Sequence, residues 1–203
     1  MAQYRGYRSV PHATYDQYRN ATLGNGYDVD GWYGNQCWDY CALLWYQYGL
    51  SLVTKPKGGG AKDCWLVSRN TNAKNPFIAV TGVQNIKRGD VIVTNASPWS
   101  TTGHICIADE NYRTSGDRSR IWTVGQAPLN HGTNGVVSRD QVNITYFLGI
   151  FRNTSWQGSP TPPTPPSPTP TQQEWYNKGG YNFVLFNKRK RQEKWTRTPL
   201  NKK

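Results

Sequence analysis

Acidic residues and long apolar runs are scarce in this chain of 203 residues. Asp and Glu number 12 against 24 Lys and Arg, and charged residues of both signs make up only 18% of the sequence. No apolar stretch approaches the roughly 20 residues that a membrane-spanning helix needs. The first residues lack the apolar run of a signal peptide, so we expect neither a signal peptide nor a transmembrane segment.

Cysteine is also sparse. The four cysteines, at positions 37, 41, 64 and 106, form no Cys-x-x-Cys pair, and the chain is too long to depend on a disulfide framework. We therefore expect all four thiols to be reduced. A zinc site built from Cys37, Cys41, His104 and Cys106 is disfavoured because the close cysteine pairs typical of such sites are missing.

Aromatic residues and positive charge are abundant instead. The chain has nine Trp and thirteen Tyr, and its formal net charge is +12. This charge indicates a polyanionic partner: nucleic acid, anionic lipid, or the phosphate-rich polymers of a Gram-positive cell wall. The charge is concentrated at the end of the chain, where residues 172–203 hold nine Lys or Arg and two Glu.

A run of prolines and threonines divides the chain. Residues 158–171 read Gly-Ser-Pro-Thr-Pro-Pro-Thr-Pro-Pro-Ser-Pro-Thr-Pro-Thr, which has no means of packing a core and predicts an extended linker. We assign residues 1–20 to an N-terminal extension with a helix, 21–157 to the main folded domain, 158–171 to the linker and 172–203 to a basic aromatic tail.

Periodicity within the first two segments predicts helices first and strands later. Helices are expected at 12–23, 37–48 and 61–69, with Cys64 and Leu66 in the core of the third. Apolar runs predict strands at 77–80, 91–93, 105–108, 121–124 and 145–151. Helices followed by several strands favour an α+β domain with an antiparallel sheet.

The most informative stretch is Asp28-Val29-Asp30-Gly31-Trp32-Tyr33-Gly34-Asn35-Gln36-Cys37-Trp38-Asp39. Its three aspartates supply hard oxygen ligands, and Gly31 permits the tight turn that lets such oxygens converge on one point, as in a calcium loop. The spacing differs from an EF-hand, whose glycine stands sixth and whose glutamate stands twelfth. The aspartates are also compatible with simple Asx turns.

A cysteine and a distant histidine suggest nucleophilic chemistry. Cys37 opens a predicted helix, where the partial charge of free N–H groups is expected to lower the thiol pKa. His104 follows Gly103 and opens an apolar strand. A cysteine at a helix start with a later histidine is the constellation of thiol catalysis, although Cys37 alone also reads as a small buried apolar residue.

These motifs resemble those of a CHAP domain (cysteine, histidine-dependent amidohydrolase/peptidase), in particular the calcium-binding CHAP domains of phage endolysins. The similarity runs from about residue 21 to 152. It rests on the stretch just described and on Gly60-Ala61-Lys62-Asp63, Arg88-Gly89-Asp90-Val91-Ile92-Val93 and Gly103-His104-Ile105. It implies a papain-like (NlpC/P60-like) fold, in which the helix carrying the cysteine packs on an antiparallel sheet carrying the histidine.

The resemblance also implies roles for individual residues. Cys37 would attack a peptidoglycan amide carbonyl, and His104 would take the thiol proton and return it to the leaving amine. Calcium would be held by the ligands that the family places in this loop: the carboxylates of Asp28, Asp30 and Asp39 and the backbone carbonyls of Trp32 and Gly34.

The third catalytic residue of the family is missing here. The family places an acid and an asparagine in a Glu-Gln-Asn run after the next strand, whereas this chain reads Gly125-Gln126-Ala127. Four readings stay open. Gln126 or Asn130 orients the imidazole as a neutral partner, Asp109 or Glu110 does so from beyond the strand, the pair works as a dyad, or the site is inactive.

We therefore expect a phage lysin that cuts an amide bond of peptidoglycan, as an N-acetylmuramoyl-L-alanine amidase or an endopeptidase. Its tail would bind anionic wall polymers, and Trp32, Trp38, Trp65 and Trp99 are candidates for groove walls. Such a protein would stay in the host cytoplasm until a holin releases it, or travel on the phage particle. The alternatives are a catalytically silent wall-binding or particle protein and, with no recognition fold to support it, a nucleic-acid-binding protein.

Overall fold

The computed structural model describes residues 3–98, 100–126 and 135–156, which form a mixed α/β domain. Trp99, Asn130, the predicted linker and the basic tail lie outside the described residues. The helices are α1 (Tyr15–Thr22), α2 (Cys37–Gln47), α3 (Asp63–Leu66) and α4 (Arg69–Asn72). The strands are β1 (Gln3–Arg5), β2 (Gly26–Asp28), β3 (Phe77–Val80), β4 (Val91–Thr94), β5 (His104–Ala108), β6 (Arg120–Gly125), β7 (Ser138–Asn143) and β8 (Phe147–Asn153).

The central helix α2 begins and ends where its sequence predicts. At its start a carboxylate oxygen of Asp39 accepts the backbone N–H of Gln36 at 3.0 Å, which satisfies a donor that the first turn leaves without a partner. At its end Gly49 adopts a φ of +66°, the left-handed conformation that glycine supplies after a helix. The predicted helix opening at Cys37 is confirmed.

The six-stranded sheet has the order β3-β8-β4-β5-β6-β7, and every neighbouring pair is antiparallel. The predicted antiparallel sheet is therefore confirmed. Strand β7, Ser-Arg-Asp-Gln-Val-Asn, was not predicted because its polar sequence has no apolar run, and its place at the edge of the sheet explains that polarity.

The region predicted as one helix over 61–69 forms two short helices instead. Cys64 is buried as expected, but the prediction that Leu66 belongs to the core is wrong, since its exposed fraction is 54%. Trp65 takes that place, with a 6% exposed fraction and a ring 5.2 Å from that of Phe151. The four-residue helix α3 is too short for the 3.6-residue period to decide which face is buried.

The sheet packs a core on each face. Ile105 and Ile107 belong to the cluster that includes the buried face of α2, whereas Cys106 and Ala108 belong to a second cluster on the other face. This division follows from the alternation of side chains along β5. All four cysteines are free, in agreement with the sequence prediction.

Residues from the N-terminal segment join the first of these cores. Val10, Tyr15 and Tyr18 are buried among the residues that pack on α2. Strand β1 pairs in parallel with β2, whose last residue is Asp28. No helix among the described residues is long and apolar enough to cross a membrane.

Candidate active site

The start of α2 and the start of β5 bring Cys37 and His104 to one part of the molecule. Cys37 is the first residue of α2, and His104 is the first residue of β5, against which α2 packs. The backbone N–H groups of Ile105 and Trp38 both favour the Cys37 thiolate, which places the sulfur beside the residue that follows His104. The two predicted reactive residues thus come from neighbouring elements.

The expected lowering of the thiol pKa is not observed. Burial raises the pKa of Cys37 above its ordinary value, and the N–H groups of Ile105 and Trp38 offset only part of this effect. The charge of Asp39 raises it further. The prediction from the helix start was wrong because it counted the favourable dipole and left out the loss of water around the sulfur.

His104 is also held in its neutral form. Its exposed fraction is 4%, and burial lowers the pKa of its imidazole to about 4. No hydrogen bond joins the imidazole to the thiol of Cys37 in the described part of the chain. At neutral pH the resting pair is therefore a neutral thiol and a neutral imidazole that is free to accept a proton.

The surroundings of His104 contain a carboxylate that the sequence did not reveal. A Cβ atom at Gly125 would lie 3.7 Å from Nε2 of His104 and 3.1 Å from Cβ of Cys106, so Gly125 lies against both residues. On the adjacent strand Asp140 pairs with Thr123, two residues before Gly125 and thus on the same face. The charge of Asp140 raises the pKa of His104, in opposition to burial. Only the strand pairing reveals this residue, because no local motif marks it.

The side chain of Gln126 lies in the site, but it hydrogen-bonds to the backbone and not to the imidazole of His104. Its side chain is fully buried, accepts the N–H of Tyr27 at 2.7 Å, and donates to the carbonyls of Tyr27 at 2.6 Å and Gln36 at 2.9 Å. The amide thus joins the end of β6 to β2 and to the residue before Cys37. The structure does not bring it to His104 through a hydrogen bond.

The two acids considered as partners for His104 lie at the other end of β5. Glu110 accepts the N–H of Trp122 at 3.0 Å and pairs with Arg113 at 2.8 Å. Asp109 binds the hydroxyl of Tyr15 and pairs with three arginines: Arg19, Arg88 and Arg139. Since β5 separates them from His104 by about 13 Å or more, neither carboxylate is placed to orient the imidazole. Asn130 lies outside the described residues.

The side chains of the three loop aspartates converge on one another. Oxygen atoms from Asp28, Asp30 and Asp39 all lie within 4.8 Å of one another. Asp28 is buried, and its Oδ1 has no hydrogen-bond partner among the described residues. Burial raises the pKa of Asp39 to about 7, against the N–H groups of Gln36 and Val29 that favour its charged form. A buried carboxylate oxygen without a partner is an arrangement that a hard cation such as calcium fits.

The tryptophans proposed as groove walls have different environments. Trp65 is buried in the core, and Trp38 is half-buried with its Nε1 donating to the carbonyl of Val53 at 2.9 Å. Trp32 is 68% exposed on the aspartate loop. Trp99 lies outside the described residues. Of the three candidates for groove walls that the structure describes, Trp32 alone presents most of its surface to solvent.

Comparison with known proteins gives a partial match. No family model matches the chain. The chain is 31% identical over 180 residues to the D-alanyl-L-alanine endopeptidase of Streptococcus phage B30, a match that covers 83% of this chain and 35% of that protein. It therefore spans about a third of the length of this curated relative. The crystal structure of the wild-type endolysin LysIME-EF1 is 24% identical, with a TM-score of 0.49, and the match covers 70% of this chain and 62% of that one. The chain is thus similar in sequence to a phage endopeptidase.

Proposed function

We propose that this chain is a phage lysin that hydrolyses an amide bond of bacterial peptidoglycan, with Cys37 as nucleophile and His104 as general base. The observation that supports the proposal is that Cys37 and His104 are the first residues of two neighbouring elements, α2 and β5, in a chain similar to a phage endopeptidase. The relative's activity favours an endopeptidase that cuts between D-alanine and L-alanine over an amidase. The resemblance to CHAP domains supports the same chemistry.

The neutral resting pair determines how the reaction would begin. The thiol would transfer its proton to the imidazole of His104 as its sulfur attacks the carbonyl carbon, because burial disfavours a thiolate formed in advance. The imidazolium would then give this proton to the leaving amine as the C–N bond breaks. Water would hydrolyse the remaining thioester, with the imidazole again accepting a proton. The charge of Asp140 would favour the imidazolium of each step.

Calcium would act through the loop instead of in the reaction. The carboxylates of Asp28, Asp30 and Asp39 would hold it, with the backbone carbonyls of Trp32 and Gly34 as further ligands by resemblance. When bound, calcium supplies positive charge that offsets these carboxylates, of which Asp28 and Asp39 are buried. Asp39 also accepts the N–H of Gln36, so fixing the carboxylate fixes the start of the helix that carries Cys37.

The partners proposed for the rest of the chain follow from its composition. The basic tail at 172–203, outside the described residues, would hold anionic wall polymers beside the peptidoglycan substrate. Release through a holin or carriage on the phage particle would both bring the chain to the wall.

The decisive experiment compares wall clearing by the wild type, Cys37→Ser and Cys64→Ala, each with calcium and with a chelator. Cys64→Ala is the control because it removes a thiol from the core and leaves Cys37 in place. We expect wild type and Cys64→Ala to clear Gram-positive walls, Cys37→Ser to lose at least 1000-fold in rate, on the order of the loss of a nucleophile, and chelation to weaken clearing.

Mass spectra of the released fragments identify the bond. An endopeptidase of the proposed kind leaves a new D-alanine carboxyl end, whereas an amidase separates the L-alanine amine from the glycan. If wild type and Cys37→Ser bind walls equally and neither releases fragments, the chain is a silent wall-binding protein and the enzymatic proposal fails.

A further inference from the structure

Trp32 and Tyr33 form an exposed aromatic pair on the aspartate loop. Their exposed fractions, 68% and 76%, are the highest among the large apolar side chains of the described residues. Leaving two large aromatic side chains in water has a free-energy cost that packing them in the core would avoid. An exposed aromatic pair beside a reactive site is typical of a binding surface.

The loop backbone that exposes the two rings is itself strained, which adds a conformational free-energy cost. Tyr33 has a φ of +64°, and it is the single non-glycine residue with a positive φ in the part of the chain that the structure describes. A bulky residue in this conformation is strained, and such strain is concentrated at functional sites. The N–H of Trp32 donates to Oδ1 of Asp30 at 2.8 Å, so one of the loop aspartates fixes the backbone that presents the rings.

The faces of the two rings remain available to a ligand. The centroids of Trp32 and Tyr33 lie 6.4 Å apart with a 49° angle between the ring planes, so neither ring covers the other. A second exposed pair, Tyr7 and Tyr46, behaves differently, since its rings stack at 4.6 Å with an interplanar angle of 23°. Trp32 and Tyr33 lie five and four residues before Cys37, whereas Tyr7 belongs to the N-terminal segment and Tyr46 to α2.

Charge selects the kind of ligand. The exposed carboxylate of Asp30 lies two and three residues before the aromatic pair, and the buried carboxylates of Asp28 and Asp39 lie within 4.8 Å of it. With Arg5, whose Nε lies 3.9 Å from Oδ2 of Asp28, and one divalent cation, the three carboxylates are balanced, so this surface has no excess of positive charge to attract phosphate-bearing wall polymers. The apolar C–H face of an uncharged sugar ring suits an open aromatic face in this environment.

We propose that Trp32 and Tyr33 bind the N-acetylhexosamine rings of the glycan strand and thereby place the attached peptide before Cys37. The choice of glycan as the ligand rests on the proposed function, whereas the exposure of the two rings is observed independently of that function. The rings act as a substrate-binding surface and take no part in the proton transfers at His104.

The test measures binding of the β-1,4-linked N-acetylglucosamine tetrasaccharide to the full chain in calcium, by calorimetry. Trp32→Ala and Tyr33→Ala retain the backbone carbonyl and the loop aspartates, and Tyr7→Ala is the matched control for an exposed tyrosine. We expect about tenfold weaker binding for each of the first two, partial recovery in Trp32→Phe, and no change for Tyr7→Ala. Circular dichroism and melting temperatures confirm that the variants are folded.

The test distinguishes the glycan-binding proposal from the proposed hydrolase activity, because binding is measured independently of cleavage. Absence of tetrasaccharide binding by the wild type, or equal affinity in Trp32→Ala, Tyr33→Ala and wild type, overturns the glycan assignment even if the protein clears walls. If the wild type binds the tetrasaccharide through Trp32 but cleaves no wall, the glycan surface stands and the proposed hydrolase activity fails.

Discussion

Gln126 offers the sharpest test of how the candidate site is held together. Its buried side chain meets one donor and two acceptors of the backbone at 2.6–2.9 Å. Because it binds both the N–H and the carbonyl of Tyr27, the amide pairs with the edge of β2 as the peptide group of a neighbouring strand would. The third bond, to the carbonyl of Gln36, ties the same strand end to the residue before Cys37.

Replacing Gln126 with Ala leaves these three backbone groups without partners in a buried place. Each unsatisfied buried group costs about 1–3 kcal/mol, and partial entry of water offsets some of this cost, so we expect the free energy of unfolding to fall by about 3–5 kcal/mol. Wall clearing should fall at least tenfold under conditions in which the variant remains folded, because Gln36 and the start of α2 lose their tether.

Gln47 provides a matched control. Its side chain also makes three bonds to the backbone, accepting the N–H of Val10 at 2.9 Å and donating to the carbonyls of Arg8 at 2.8 Å and Leu43 at 3.2 Å. Because Gln47 is half-exposed, water can replace many of the hydrogen bonds that Gln47→Ala removes. We therefore expect the free energy of unfolding to fall by about 1 kcal/mol. Urea denaturation followed by tryptophan fluorescence measures both losses. Equal losses in the two variants would refute the reasoning.

Two further predictions concern charge. Because burial lowers the pKa of His104 to about 4 from its ordinary 6.5, the unfolded chain binds the proton more tightly, and stability should fall by about 3 kcal/mol as pH drops from 6.5 to 4. His104→Asn should remove this part of the pH dependence and Asp140→Asn should enlarge it; an unchanged urea profile in His104→Asn would contradict the burial. In chelator-treated protein, calcium at about 100 times its dissociation constant should add about 2.7 kcal/mol of stability. This gain should be lost in Asp28→Asn and kept in the control Asp117→Asn, as measured by thermal unfolding, and a wild type that does not respond to calcium rules the site out.

Local sequence was sufficient wherever one element carries the whole signal. One stretch of twelve residues contains the turn glycines, the carboxylates at 28, 30 and 39, and the start of the helix at Cys37. Because these carboxylates are close in sequence, their spacing alone shows that their oxygen atoms can converge. The apolar runs at 77–80 and 91–93 likewise predict strands, and both form: β4 is buried throughout, whereas β3, at the edge of the sheet, buries Phe77 and exposes Ile78 and Ala79.

The residues that surround His104 could not be predicted from local sequence. Gln126 follows the strand after His104 and therefore resembles an orienting residue in sequence, yet its amide is committed to Tyr27 and Gln36. Asp140 is an inconspicuous residue of a polar strand, and only the pairing of β7 with β6 places it on the face of His104. Strand pairing joins residues far apart in sequence, and no local pattern specifies it.

The sequence alone determined the carboxylate loop, the helix that begins at Cys37 and the strands that carry apolar runs, since these depend on short-range spacing. Tertiary structure decided the protonation states of Cys37 and His104, the burial of Trp65 in place of Leu66, and the exposure of Trp32. These properties depend on how much water each side chain loses, which is set by the packing of α2 and of the sheet around it and not by neighbours in the chain.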